Sequence, residues 1–316
     1  MARRVKIATF SVRGFGDDAK LSIDQAADAC EEYWKDKLSF VLSDKPDLVV
    51  LPECANRPVA FCSPDNADKL KDYYLNHSHR FMDLCAATAR THATTIVCSC
   101  VGVHDGAWRN ASTVFGPGGD VLGVYHKNHL VIEECQDRGV SYGTAAPIIE
   151  TPFGTIGCAI CFDLNFDDLR NKYAQSRPDL IVFSSMYHGG GQQIIWPYLC
   201  RAHFVGSMGL ETLPGEIRNP FGEILYTTTN YTECVVGEIN LDCELAHLDY
   251  NIGKLEKLKR HYGPMVTIHN PSLYGSVLIT SESKNITARQ MAKEFEIELL
   301  DDYMNRAIEH RRMNLQ

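Results

Sequence analysis

Three short apolar runs in this chain break off on a reactive side chain. Asp47-Leu48-Val49-Val50-Leu51-Pro52-Glu53 ends on a carboxylate, Val121-Leu122-Gly123-Val124-Tyr125-His126-Lys127 on an amine, and Thr155-Ile156-Gly157-Cys158-Ala159-Ile160-Cys161 on a thiol. Continuous runs of this kind, bounded by polar or turn residues, read as strands buried in a layered fold. Each therefore delivers one reactive group to the C-terminal end of a strand. A thiol, a carboxylate and an ammonium form a covalent-catalysis set: nucleophile, proton acceptor and charge stabiliser.

Further strand-like runs occur at 5–12, 94–103, 112–115, 180–184 and 234–239, and helical spacing at 22–43, 66–92, 166–174 and 194–205. This alternation predicts an α/β layered architecture. The turn Gly116-Pro117-Gly118-Gly119-Asp120 joins two strands as a hairpin, and Pro220-Phe221-Gly222 opens another strand pair. Beyond about Asp242 the character changes: a charged segment from Lys254 to His261, an irregular stretch from Gly263 to Ser283, and one amphipathic helix from Ala288 to about Arg311. Residues 1–250 are read as a catalytic domain and 251–316 as a C-terminal extension.

The three motifs, in this order and in the contexts Leu51-Pro52-Glu53, Tyr125-His126-Lys127-Asn128-His129-Leu130 and Ile160-Cys161-Phe162-Asp163, resemble the nitrilase superfamily of carbon-nitrogen hydrolases. The resemblance runs from Val5 to about Leu241 and takes in Asp179-Leu180-Ile181-Val182-Phe183-Ser184-Ser185 and Asn219-Pro220-Phe221-Gly222-Glu223. It implies a four-layer αββα sandwich and a Glu-Lys-Cys triad of Glu53, Lys127 and Cys161. It implies a second glutamate between lysine and cysteine, for which Glu134 is chosen over Glu133 and Asp137. It also implies subunits that pair through helices into a dimer or a higher even-numbered homo-oligomer, with a tail whose apolar stripe Met291, Phe295, Ile297, Leu300 and Met304 packs on a neighbouring subunit. After Arg201-Ala202 the chain departs from the common family pattern: His203 and Phe204 stand where an acidic residue and an asparagine often follow.

A free cysteine titrates near 8.5, so the thiol needs a base beside it. Glu53 is the candidate base, Lys127 with the backbone N–H of Phe162 the candidate oxyanion site, and Tyr187 and His188 on the following glycine-rich loop the candidate substrate contacts. Asp163 and Asn165 read as turn or cap residues. True nitrilases usually follow the nucleophile with tryptophan and glutamate; Phe162 and Asp163 favour an amide or N-carbamoyl substrate instead. The alternatives are a nitrilase, a catalytically silent binding protein on the same fold, and a redox pair of Cys158 and Cys161.

A formal net charge of -9 with no dominant cluster of Lys and Arg argues against phosphate-backbone binding. No apolar run approaches the ~18 residues that span a bilayer, and the start of the chain lacks a signal-peptide pattern. A cytoplasmic protein acting on a small molecule is therefore expected, without nucleic acid, membrane, metal or cofactor. The twelve cysteines are scattered through apolar runs, as reduced core thiols are. The Asn-x-Ser/Thr triplets at Asn76, Asn110, Asn230 and Asn285 carry no information without export.

Overall fold

The computed structural model describes residues 1–272 and 274–315. Leu273 and Gln316, both within the expected C-terminal extension, lie outside the described residues. The chain divides into two compact units, Val5–Ile239 and a smaller one formed by Met1–Arg4 with the residues from Asn240 onward.

In the larger unit the first sheet contains β1 (Arg4–Phe10), β2 (Leu48–Val50), β3 (Thr95–His104), β4 (Ala107–Phe115) and β5 (Val121–His126). The second contains β6 (Ile149–Thr151), β7 (Gly154–Ile160), β8 (Leu180–Ser185), β9 (His203–Met208), β10 (Glu216–Arg218) and β11 (Ile224–Thr227), hydrogen-bonded in that sequence. β12 (Cys234–Asn240) returns to the first sheet and closes its edge beside β1. β1, β2 and β3 are mutually parallel, and β4 lies antiparallel to both β3 and β5. β2 and β5 therefore run the same way and end at the same edge. β7, β8 and β9 are parallel in the second sheet.

Helices cover both sheets. α1 (Ile23–Leu42) starts at a capping box, in which Ser22 Oγ accepts from Gln25 N at 3.1 Å and Gln25 Oε1 accepts from Ser22 N at 2.8 Å. α2 (Ala67–His92) ends where Ala93 turns into the left-handed region at φ 51°. Together α1 and α2 bury Cys30, Trp34, Phe81 and Cys85 against Phe10, Val49 and Ile96 of the first sheet. Trp34 meets Phe10 edge-on at 5.8 Å, and its indole N–H donates to Ala55 O at 2.6 Å. Beyond the short helix α3 (Ile132–Gln136), α4 (Asp167–Ser176) and α5 (Gln192–Cys200) cover the second sheet, with Leu169, Tyr173, Trp196 and Cys200 buried. Gly157 of β7 leaves the space that the Tyr173 ring fills; a Cβ there would come within 2.7 Å of it. The expected α/β sandwich, helices over two sheets, is the architecture present.

Where the sheets meet, small hydroxyls take the place of large apolar side chains. Thr9 Oγ1 donates to Gly206 O at 2.8 Å, Ser184 Oγ to Leu51 O at 2.7 Å and Ser207 Oγ to Phe10 O at 3.4 Å. Each bond crosses from one sheet to the other and satisfies a buried polar group.

The helix expected over 194–205 is two elements. α5 stops at Cys200, Arg201 takes φ 56°, and His203–Met208 forms the fully buried strand β9. A strand buried on both faces shows no alternation, so its apolar run merges with that of the preceding helix.

The smaller unit is a three-stranded antiparallel sheet, β13 (Cys243–His247), β15 (Ser276–Ser281) and β14 (Val266–His269), with α6 (Ile252–Tyr262), α7 (Ala288–Glu294) and α8 (Leu300–Asn314). Its core gathers Ala246, Leu258, Val266, Ile279 and Met291. The stretch read as irregular thus contains two strands. The single terminal helix is broken between Glu294 and Leu300, where Glu296 has φ 54° and Ile297 N bonds back to Ala292 O at 2.8 Å. Met291, Ile297 and Leu300 are buried within this unit, whereas Met304 is exposed.

Candidate active site

The common edge of β2 and β5 carries Glu53 and Lys127, and the end of β7 carries Cys161. Carboxylate and amine come from one sheet, thiol from the other. Glu53 and Lys127 are almost completely buried, at 4 % and 1 % exposure. Lys127 Nζ lies 2.9 Å from Glu53 Oε1 and 2.8 Å from Glu134 Oε2. Of the three acids in the loop, Glu134 is the one that reaches Lys127; its Oε2 also accepts from Val131 N at 2.9 Å, which fixes it to the start of α3. Glu133 and Asp137 are exposed.

A fifth member was not anticipated. Asn110 of β4 donates from Nδ2 to Glu53 Oε1 at 2.9 Å and to Glu134 Oε1 at 3.1 Å, so one amide clamps both carboxylates. It lies in the part of β4 that precedes the strand-like run at 112–115, where the sequence gives an uncharged amide no distinguishing mark. The other oxygen of Glu53, Oε2, accepts from Met186 N at 3.2 Å, just beyond β8. Ser184 tethers the same strand end to Leu51, so the loop carrying the carboxylate and the loop carrying this N–H are tied together.

Cys161 occupies the left-handed region at φ 48°, unusual for a residue with a Cβ, and opens a short 3-10 helix, Cys161–Asn165. Asp163 holds that turn. Fully buried, it accepts from Ile160 N at 3.0 Å and Tyr125 OH at 2.7 Å through Oδ2, and from His129 N at 2.7 Å through Oδ1, with His129 Nδ1 at 3.1 Å from the same oxygen. The expected structural service of Asp163 is thus the bracing of the turn that presents the thiol. Asp163→Ala would orphan several of these donors and is expected to cost about 2–4 kcal/mol of stability, read as a lower urea midpoint. An unchanged midpoint would show that the turn holds without it.

The electrostatics assign protons. Burial would raise the Glu53 carboxyl, but the Lys127 charge and hydrogen bond, Asn110 and the Cys161 thiol outweigh it and hold the group below the usual carboxylate range. Burial opposes the Lys127 charge, yet Glu53 and Glu134 raise its pKa. The Cys161 thiol is pushed up to about 12, by burial first and by the Glu53 charge second, against the opposing pull of Lys127, Met186 N–H and Ser185. At neutral pH the site therefore holds a neutral thiol beside an ionised carboxylate and an ammonium.

Phe162 N–H lies in the first turn of the 3-10 helix, where backbone donors lack an acceptor within the helix. Tyr187 stands next to the site: burial and the neighbouring Cys161 push its phenol up to about 12, against the opposing pull of Asn165. His188 is held in a separate network, its Nε2 3.3 Å from Glu216 Oε2, a carboxylate that also accepts from Arg218 Nε at 3.0 Å. Trp196 is core, fully buried and donating to Leu164 O at 3.0 Å. Cys158 is buried within β7, and all twelve cysteines are free thiols. Among the described residues no group of three or more His, Cys, Asp or Glu is placed to hold a metal ion, and no helix is long and apolar enough to cross a membrane.

Known proteins resemble this chain in sequence and in fold. The chain is 25% identical over 217 residues to an omega-amidase of Danio rerio, covering 61% of this chain and 76% of that protein. It is 26% identical over 186 residues to a deaminated glutathione amidase of Mus musculus, covering 53% and 55% respectively. Among solved structures, Saccharomyces cerevisiae Nit3, a member of the nitrilase superfamily, has the same fold with a TM-score of 0.57 at 18% identity, covering 83% of this chain and 95% of that one. A carbon-nitrogen hydrolase from Helicobacter pylori G27 gives 0.55 at 18% identity, with 82% and 93% covered. The description of the carbon-nitrogen hydrolase family fits residues 19–206, more than half of the chain, and the protein belongs to that family.

Proposed function

We propose that the protein hydrolyses a non-peptide carbon–nitrogen bond in a small amide or N-carbamoyl substrate through a thioester on Cys161. The observation that carries this reading is the meeting of a neutral thiol, an ionised Glu53 and a protonated Lys127 at the ends of strands from two sheets. As Sγ bonds to the substrate carbonyl carbon, its proton passes to Glu53, and the carbonyl π electrons move to oxygen. Lys127 and the Phe162 N–H stabilise that oxyanion. The oxyanion collapses, the carbon–nitrogen bond breaks, and Glu53 returns its proton to the departing nitrogen, releasing ammonia or an amine. Water then attacks the thioester with Glu53 as base, and the acid leaves as the thiol regains its proton.

The raised thiol pKa makes proton transfer part of the attack instead of a preceding ionisation. Glu134 and Asn110 position Lys127 and Glu53. The names of the similar proteins, both amidases, and the residues after the nucleophile favour an amide or ureido group over a nitrile. Assembly into an even-numbered homo-oligomer belongs to the same proposal, supported by exposed Ile194, Ile195 and Leu199 on α5.

The test is ammonia release from primary amides, N-carbamoyl amino acids and nitriles, with the Cys161→Ala variant alongside. Release from amides or ureido acids, lost in the variant, is the expected result. Faster turnover of a nitrile than of its matching amide would reverse the substrate choice. Turnover that survives in the variant would remove the thiol from the mechanism.

A further inference from the structure

The Glu53 loop carries a cation that the proposed chemistry does not use. Arg57 lies four positions after Glu53, in a turn closed by Arg57 N donating to Cys54 O at 2.9 Å. The loop is rigidly mounted: Val59 N donates to Phe15 O at 2.8 Å, Asn56 Nδ2 to Ser78 Oγ at 3.1 Å, and Pro58 restricts the Arg57 backbone. The side chain is only partly exposed, and its electrostatic neighbours are Cys54, Tyr74, Cys62 and Glu53. Among the described residues it makes no ion pair, and its guanidinium donates no hydrogen bond. Other cations of this unit are engaged: Lys127 has two carboxylates, Arg218 has Glu216, and Arg109 donates to Tyr142 O.

A partly exposed guanidinium that pairs with no acid of its own chain is open to a ligand, and its planar fork suits a carboxylate. The buried cluster of Glu53, Glu134 and Lys127 carries one net negative charge, so an anionic substrate needs a cation to receive it. We propose that Arg57 is the specificity residue of this site and receives a carboxylate carried by the substrate, so that the protein prefers anionic amides or ureido acids to neutral amides. This rests on the hydrolytic reading above for turnover, but not for binding. The ordinary alternative is that Arg57 only balances the charge of the cluster.

Two measurements separate these readings. The first is calorimetric binding of glutarate and succinate, against valerate and butyrate, to the full-length protein and to Arg57→Met. The second is kcat/KM for glutaramic and succinamic acids, N-carbamoylglycine and N-carbamoyl-β-alanine, against valeramide and butyramide. The dicarboxylates should bind more tightly than the monocarboxylates, and Arg57→Met should lower the anionic-to-neutral ratio of kcat/KM about 10- to 100-fold. Whether half-amides or ureido acids lead identifies the source of the carboxylate. Equal binding of mono- and dicarboxylates, or a variant that lowers anionic and neutral substrates together, overturns the proposal. Dicarboxylate preference without turnover would uphold Arg57 and sink the hydrolytic reading.

Discussion

Replacing Lys127 by methionine is expected to destabilise the protein by about 3–5 kcal/mol at neutral pH, besides abolishing turnover. Lys127 is 1 % exposed, and its ammonium neutralises two carboxylates that Asn110 holds close together. Without it the buried Glu53 and the partly exposed Glu134 face each other as like charges, and one carboxyl must take up a proton to relieve them. The folded-state pKa of that carboxyl would rise above its unfolded value, so the folded variant binds more protons than the unfolded chain. Its stability should therefore increase as pH falls through that raised pKa. The native protein behaves oppositely: Glu53 is held below the ordinary carboxylate range, so its contribution is present above that range and is lost as pH falls through the lower folded-state pKa. Urea denaturation of both proteins from neutral pH down through the ordinary carboxylate range would show the variant gaining stability as pH falls and the native protein losing it at the acidic end. Parallel slopes would mean that the two carboxylates do not share the lysine charge in solution.

Glu53→Gln should separate two properties of the thiol that usually move together. Turnover is expected to fall about 10²- to 10⁴-fold, the range for loss of a general base. Yet the Glu53 charge is one of the causes that raise the thiol pKa, whereas Lys127 lowers it. With the carboxylate gone, the thiolate becomes easier to form, and Cys161 should alkylate faster with iodoacetamide at mildly alkaline pH, as followed by peptide mass mapping. A less active enzyme with a more reactive cysteine is the signature of a base that accepts the proton during attack. Slower alkylation in the variant would instead indicate that Glu53 promotes a standing thiolate, and unchanged turnover would remove it as the base.

The residues at strand ends were legible because each interrupts an apolar run with a group that burial penalises. Glu53, Lys127 and Cys161 announce themselves by position. Asn110 does not, because an uncharged amide in a strand is compatible with many roles. The choice among Glu133, Glu134 and Asp137 depends on which face of the short helix α3 turns inward, and a five-residue helix has too few turns to show it. The run from Ile194 to Val205 concealed the start of β9 for lack of alternation. The break between α7 and α8 has no proline or glycine to mark it; it rests on the left-handed turn at Glu296 and on packing of Ile297, which only the folded chain supplies. That Arg57 makes no ion pair among the described residues is likewise a property of the fold, since the sequence offers many acids that could have met it.

The hydroxyl bonds that join the two sheets bear on when the site comes into being during synthesis. Glu53 and Lys127 stand on a surface completed only when β12 joins β1 near the end of the larger unit, while Cys161 rides on the opposite surface. Until Thr9, Ser184 and Ser207 find their carbonyl partners, the thiol has neither its base nor its ammonium. A nascent chain still emerging from the ribosome therefore carries a cysteine without the carboxylate and ammonium that surround it in the folded chain, and the proposed turnover begins only as a late event of assembly.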